Sequence, residues 1–179
     1  MNSLYNERKA METTSYKVEV LGPDEGKYAQ IGPMGARFMV DPERGAGFSM
    51  VEHPIAPRSL AAPLHTHTHE DEYSYVLEGE VGLQIGDEVT VAKPGDLVFK
   101  PRGIQHAFWN AGDTPARMLE IISPAPFAKY FEELEPLMAG PQGPDFPAIA
   151  ALQARYGLTM DPAQIEPLIE REGLLPLGA

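Results

Sequence analysis

The 179-residue chain contains no cysteine. A disulfide framework, a Cys-ligated zinc finger, an iron–sulfur cluster and a thiol nucleophile are therefore excluded. Positive charge is scarce: 14 Lys and Arg stand against 26 Asp and Glu, giving a net charge of −12. A chain of that sign repels phosphate, so nucleic acid and acidic membrane surfaces are poor partners. Long apolar runs are also missing. The longest, Ala148–Leu152, falls far short of the roughly 20 residues a membrane-spanning helix needs. The segment Met1–Lys9 is polar and lacks the apolar centre of a signal peptide, so the expectation is a soluble cytoplasmic protein.

Glycine (17 residues) and proline (18 residues) are plentiful, and hydrophobic residues make up 43%. That mixture suits many short strands joined by tight turns around a packed core. Residues 1–15 are polar and aperiodic, and are expected to form a flexible tail. From Tyr16 to Ser123 the pattern predicts strands at Tyr16–Val20, Ala36–Val40, Gly47–His53, Glu72–Leu77, Gly79–Ile85, Glu88–Val91, Asp96–Lys100, Gln105–Asn110 and Ala116–Ile122. Turn signals such as Pro94-Gly95-Asp96 and Pro101-Arg102-Gly103 separate them. This spacing predicts an all-β sandwich or barrel over residues 16–123.

The period changes after Ser123, and residues 124–179 are expected to be a helical extension packed on the barrel. Phe127, Tyr130, Phe131, Leu134 and Met138 recur at helical spacing, which predicts one amphipathic helix over Phe127–Met138. A second helix is expected over Pro147–Tyr156. A third opens at Asp161-Pro162-Ala163-Gln164 and ends at Gly173, with Pro167 expected to weaken or kink it.

Three of the five histidines fall in His65-Thr66-His67-Thr68-His69. On a strand, side chains alternate, so His65 and His67 share a face. Two imidazoles on one face are half of a metal site. Glu70, Asp71 and Glu72 are candidate oxygen ligands, and His106 is a candidate fourth ligand from a distant strand. Nitrogen and oxygen donors without sulfur suit iron, manganese, nickel, cobalt, copper or zinc. Solvated surface histidines and a core His106 are the simpler alternative. His53 is expected to be structural or exposed.

Residues 60–122 resemble the two motifs of the cupin superfamily. His65, His67, Glu72 and Gly79 fit the first motif, with Ser59 where a leading glycine is usual. Gly95, Pro101, Gly103, His106 and Asn110 fit the second without a gap. The resemblance implies a small cupin-type jelly-roll barrel of two antiparallel sheets, with one divalent metal per chain held by His65, His67, Glu72 and His106. It thereby selects Glu72 over Glu70 and Asp71, and leaves His69 as at most a group behind the ligands. Alternation places Val76 and Phe108 as candidate pocket residues, and turns Tyr73, Tyr75 and Trp109 towards a second layer or a partner chain. A homodimer is expected.

The chain is most similar in overall look to small single-barrel cupins resembling quercetin 2,3-dioxygenase. That resemblance implies a metal-dependent dioxygenase acting on an enolisable or phenolic, flavonol-like small molecule, with Glu72 as both ligand and catalytic base. A redox-neutral isomerase or lyase of a sugar or keto acid, or a non-catalytic small-ligand-binding cupin, are the alternatives. Apolar pocket walls would favour the first reading and basic walls the second.

Overall fold

In a computed structural model, residues 19–44, 47–141 and 143–177 are described. The first eleven elements in chain order include ten strands: β1 (Tyr28–Ile31), β2 (Met34–Val40), β3 (Ser49–Ile55), β4 (Leu60–His67), β5 (Asp71–Glu78), β6 (Val81–Ile85), β7 (Glu88–Ala92), β8 (Leu97–Lys100), β9 (His106–Asn110) and β10 (Ala116–Ser123). Then come α1 (Lys129–Met138), α2 (Phe146–Arg155), β11 (Leu158–Met160) and α3 (Ile165–Glu172). One antiparallel sheet has the order β1-β2-β3-β10-β5-β8 and the other β11-β4-β9-β6-β7. The two sheets form the expected jelly-roll barrel. Among the described residues, no helix is long and apolar enough to cross a membrane.

Alternation dictates what faces inward. In β10, Ala116, Met118, Glu120 and Ile122 are buried and the residues between them are partly exposed. In β5, Glu72, Ser74 and Val76 point inward. The motif glycines Gly79, Gly95 and Gly103 have φ of 75°, 96° and 77°, a backbone region that side chains disfavour. Gly79 is also crowded, since a Cβ there would lie 2.7 Å from the Ala116 Cα.

Several boundaries differ from expectation. Of the predicted strand Tyr16–Val20, residues 16–18 lie outside the described residues and the rest is not a strand. The first strand is instead β1, whose Gln30 N–H donates to Glu135 of α1 at 2.8 Å. The segment Phe127–Met138 divides into a 3-10 turn, Ala125–Ala128, and α1. Phe127, Tyr130, Phe131 and Leu134 are nonetheless buried together. Pro167 does not kink the third helix. The chain runs through a 3-10 turn at Pro162–Gln164, and α3 starts only at Ile165. Pro167 thus sits in the first turn, where a missing N–H breaks no helical bond.

Trp109 is not offered to a partner chain. It is 1% exposed and packs with Leu60, Leu64 and Ala107 beneath Leu168, Ile169 and Leu174 of the α3 region. Its register partner is Gly82, where an added Cβ would come within 2.1 Å of the indole Nε1. The helix therefore covers the outer face of the five-stranded sheet at β4 and β9. Leu168→Ala is expected to destabilise the protein by about 2–4 kcal/mol. Emission of the single tryptophan should shift to the red in the same variant, because water then reaches the indole. Unchanged emission and melting temperature would contradict this packing.

Candidate metal centre

His65 and His67 project from β4, His106 from β9 and Glu72 from β5, so the cluster joins the two sheets. His65 pairs directly with His106 in the ladder. The four residues are buried, and their ligand atoms all lie within 4.8 Å of one another. The structure thus brings together the four residues expected from the sequence. His67 Nε2 lies 3.4 Å from Glu72 Oε1, and His106 Nε2 lies 3.3 Å from Glu72 Oε2.

The imidazole tautomers are set from behind. His65 Nδ1 lies 2.7 Å from the Pro63 carbonyl, His106 Nδ1 3.0 Å from the Ile104 carbonyl, and His67 Nδ1 3.3 Å from Glu70 Oε2. Each Nδ1 therefore donates its proton outward, and each Nε2 turns a lone pair inward. Two of those nitrogens, on His65 and His67, are only 3.1 Å apart, and His106 Nε2 is buried without a hydrogen-bond partner among the described residues. Such a convergence is unfavourable by itself, and a cation placed among the nitrogens reverses its sign. The donor set fits a divalent transition metal. Burial pushes His65 well below the usual imidazole range, aided by His106 and His67, and burial lowers His106 as well. Both rings are neutral, as metal ligands must be.

Glu70 is buried, and its carboxylate supports His67. His69 is exposed and lies against Gly157. A further group lies under the ligands. Lys100 is fully buried, with Nζ 2.9 Å from Glu72 Oε2 and 2.7 Å from Glu120 Oε2. Ser74 donates to Glu120 at 3.0 Å. Burial, the largest single influence, would raise Glu72, but the Lys100 ammonium together with His67 and His106 outweighs it and holds the carboxyl well below the usual range. Burial pushes Glu120 up to about 7, with Glu72 adding to the rise.

A cavity of about 200 Å³ opens above this cluster. His65, His67 and Glu72 line its polar end, and Phe108, Phe127, Tyr130, Phe131 and Leu134 form much of its wall. Phe108 thus lies where the sequence places it. Val76 does not line the cavity, because β5 carries it two steps inward from Glu72 into the barrel core. The extension after Ser123 supplies a large share of the wall through α1 and α2. The motif residue Asn110 ties loops together, its Nδ2 donating to the Ile55 and Thr114 carbonyls at 3.1 and 2.8 Å.

Sequence reasoning missed Glu120 and His53 as parts of this region; it named Glu70 as a candidate ligand and Lys100 as a basic group near the second motif, whereas Glu70 supports His67 and Lys100 pairs with Glu72 and Glu120. His53 is 1% exposed and lines the cavity. Inward alternation of Ser49, Val51, His53 and Ile55 was the available signal.

Residues 52–122 match the family described as "Cupin domain". Germin-like protein 1 of Brassica napus is 35% identical over 45% of this chain and 41% of its own length. Tetracenomycin polyketide synthase protein TcmJ of Streptomyces glaucescens is 33% identical over 34% of this chain and 40% of its own length. This chain thus spans about two fifths of either relative. The solved structure of the polyketide cyclase RemF from Streptomyces resistomycificus superposes with a TM-score of 0.52 at 28% identity, covering 60% of this chain and 80% of RemF. The stretch that matches a cupin domain, residues 52–122, thus carries most of the jelly-roll sheets and the buried His65, His67, Glu72 and His106 set.

Proposed function

We propose that this protein is a metal-dependent dioxygenase acting on a compact, largely apolar molecule that carries a phenol or enol hydroxyl. The observation that carries this reading is the aromatic-walled cavity ending on the four-ligand cluster. Basic groups that would attract a sugar phosphate or keto acid are engaged elsewhere. Lys100 is held by Glu72 and Glu120, and Arg102 forms an ion pair with Asp71 at 2.7 Å. An engineered cavity of about 150 Å³ holds a benzene ring, so about 200 Å³ favours one substituted ring over the three rings of a flavonol. An expected homodimer accompanies this reading. The exposed Tyr75, Leu97 and Phe99 on the outer face of the six-stranded sheet support it, and Trp109 does not.

His65, His67, Glu72 and His106 would hold the metal, whose Lewis acidity lowers the pKa of a hydroxyl brought to it. Glu72, the one carboxylate among the four, would take the proton. The aromatic wall excludes water and orients the ring of the substrate. A second reading, redox-neutral enolisation, draws support from the similarity to TcmJ and RemF, whose names refer to polyketide synthesis and cyclisation.

The test is oxygen uptake by metal-loaded protein against monocyclic catechols and enolisable 1,3-diketones. Uptake with at least one of them is expected. Glu72→Gln, which keeps an oxygen ligand but is a far poorer base, should retain metal and lose at least about 100-fold in turnover. Conversion of the diketones without oxygen uptake would replace the dioxygenase reading by the second one.

A further inference from the structure

The proposed function leaves one buried polar group of the cavity unused. His53 lies on β3, in the opposite sheet from β4 and β9. Its Nδ1 is 2.8 Å from the Gly35 carbonyl on the neighbouring strand β2. A carbonyl can only accept, so Nδ1 carries the ring proton and Nε2 carries a lone pair. That Nε2 is buried and has no hydrogen-bond partner among the described residues. The ring sits between Phe108 and Phe131, at centroid separations of 6.1 and 5.2 Å, and lines the same cavity as the metal cluster.

From this geometry we infer that His53 is a specificity-determining binding residue: its Nε2 accepts a hydrogen bond from a second hydroxyl or N–H donor on an otherwise apolar ligand whose oxygen head lies at the metal cluster. This deepens the proposed function and rests on it. An unpaired acceptor in an apolar enclosure loses its solvation, so a ligand that brings a donor to it gains over one that does not. Burial, together with the nearby Lys100 ammonium, pushes His53 down to about 4, against the opposing pull of the Gly35 carbonyl, so the ring is neutral at neutral pH. A neutral ring with this tautomer selects donors and rejects anions at that end. Glu120 lines the same cavity, but its oxygens are engaged by Ser74 and Lys100.

The experiment is calorimetric binding of six monocyclic probes to metal-loaded protein: catechol, resorcinol, hydroquinone and their monomethyl ethers. At least one diol, the isomer whose spacing spans the cavity, is expected to bind about tenfold tighter than its ether. In His53→Phe that ratio should fall to about one while the ether keeps its affinity. In His53→Gln, which retains an amide acceptor, part of the ratio should return. Metal content and melting temperature of each variant establish that it is folded and loaded, and His53→Gln keeps the test open should His53→Phe fail to fold. Equal binding of every diol and its ether by the parent, or an unchanged ratio in both variants, would overturn this inference and leave the proposed function standing. Failure of all six probes to bind the loaded parent would overturn both.

Discussion

Replacing Lys100 by methionine is expected to destabilise the protein by about 3–5 kcal/mol at neutral pH, the usual cost of stranding a buried charge. Methionine fills most of the volume, so the loss is electrostatic. Lys100 is fully buried and bonds both Glu72 and Glu120, at 2.9 and 2.7 Å. Without the ammonium, two buried carboxylates face each other with only the Ser74 hydroxyl on Glu120. The deficit has a predictable pH dependence in chelator-treated protein. In the parent, Glu72 has a lowered pKa, so its contribution is present above the ordinary carboxylate value and is lost as pH falls through the lower folded value. Glu120, raised to about 7, has the opposite sign: its contribution is complete below the unfolded value and is lost as pH rises through about 7. In the variant both carboxyls lack their counter-charge and take protons more readily in the folded state. The stability gap between parent and Lys100→Met should therefore be widest above pH 7 and narrow towards pH 5. Urea unfolding at pH 8 and at pH 5.5 measures it, and a gap that widens on acidification would contradict the assignment.

This buried ion group also marks where reading the sequence succeeds and where it stops. His65 and His67 were legible as a pair because strand alternation is a local property, and Glu72 and His106 were selected through the resemblance of residues 60–122 to the cupin motifs. Lys100, Glu120 and His53 meet them only through the sheet order β3-β10-β5-β8, which brings β3, β8 and β10 together across long stretches of sequence. No local period encodes that neighbourhood, so Glu120 within Met118–Ile122 looks like one polar residue in an apolar strand. The role of Glu70 was hidden differently. It stands in an acidic turn where solvation is the simplest expectation, yet the turn folds it back onto His67. The strand β4 lacked a clean pattern because Pro63 interrupts it, and the ladder with β9 shifts register between Ala62 and His65. A proline is tolerated where pairing is already irregular. β11 has only three residues and is defined by its pairing with His65–His67, a contact that its own sequence does not announce.

The second large effect concerns the cluster itself. His65→Ala/His67→Ala removes two of the three inward lone pairs and is expected to abolish tight metal binding. A metal held only by the folded state stabilises by RT ln(1 + [L]/Kd), about 4 kcal/mol at a thousandfold excess over Kd. Adding metal to chelator-treated parent should therefore raise its melting temperature by several degrees, while the double variant should show no rise. A rise in melting temperature of equal size in both proteins would place the bound metal elsewhere.

Elemental analysis of the purified protein, parent and double variant side by side, tests the central claim most directly. The account predicts close to one equivalent of a single divalent transition metal per parent chain and close to none in His65→Ala/His67→Ala, with both proteins folded. Full metal retention by the double variant, or a parent that takes up no transition metal after incubation with manganese, iron, cobalt, nickel, copper or zinc, would contradict it.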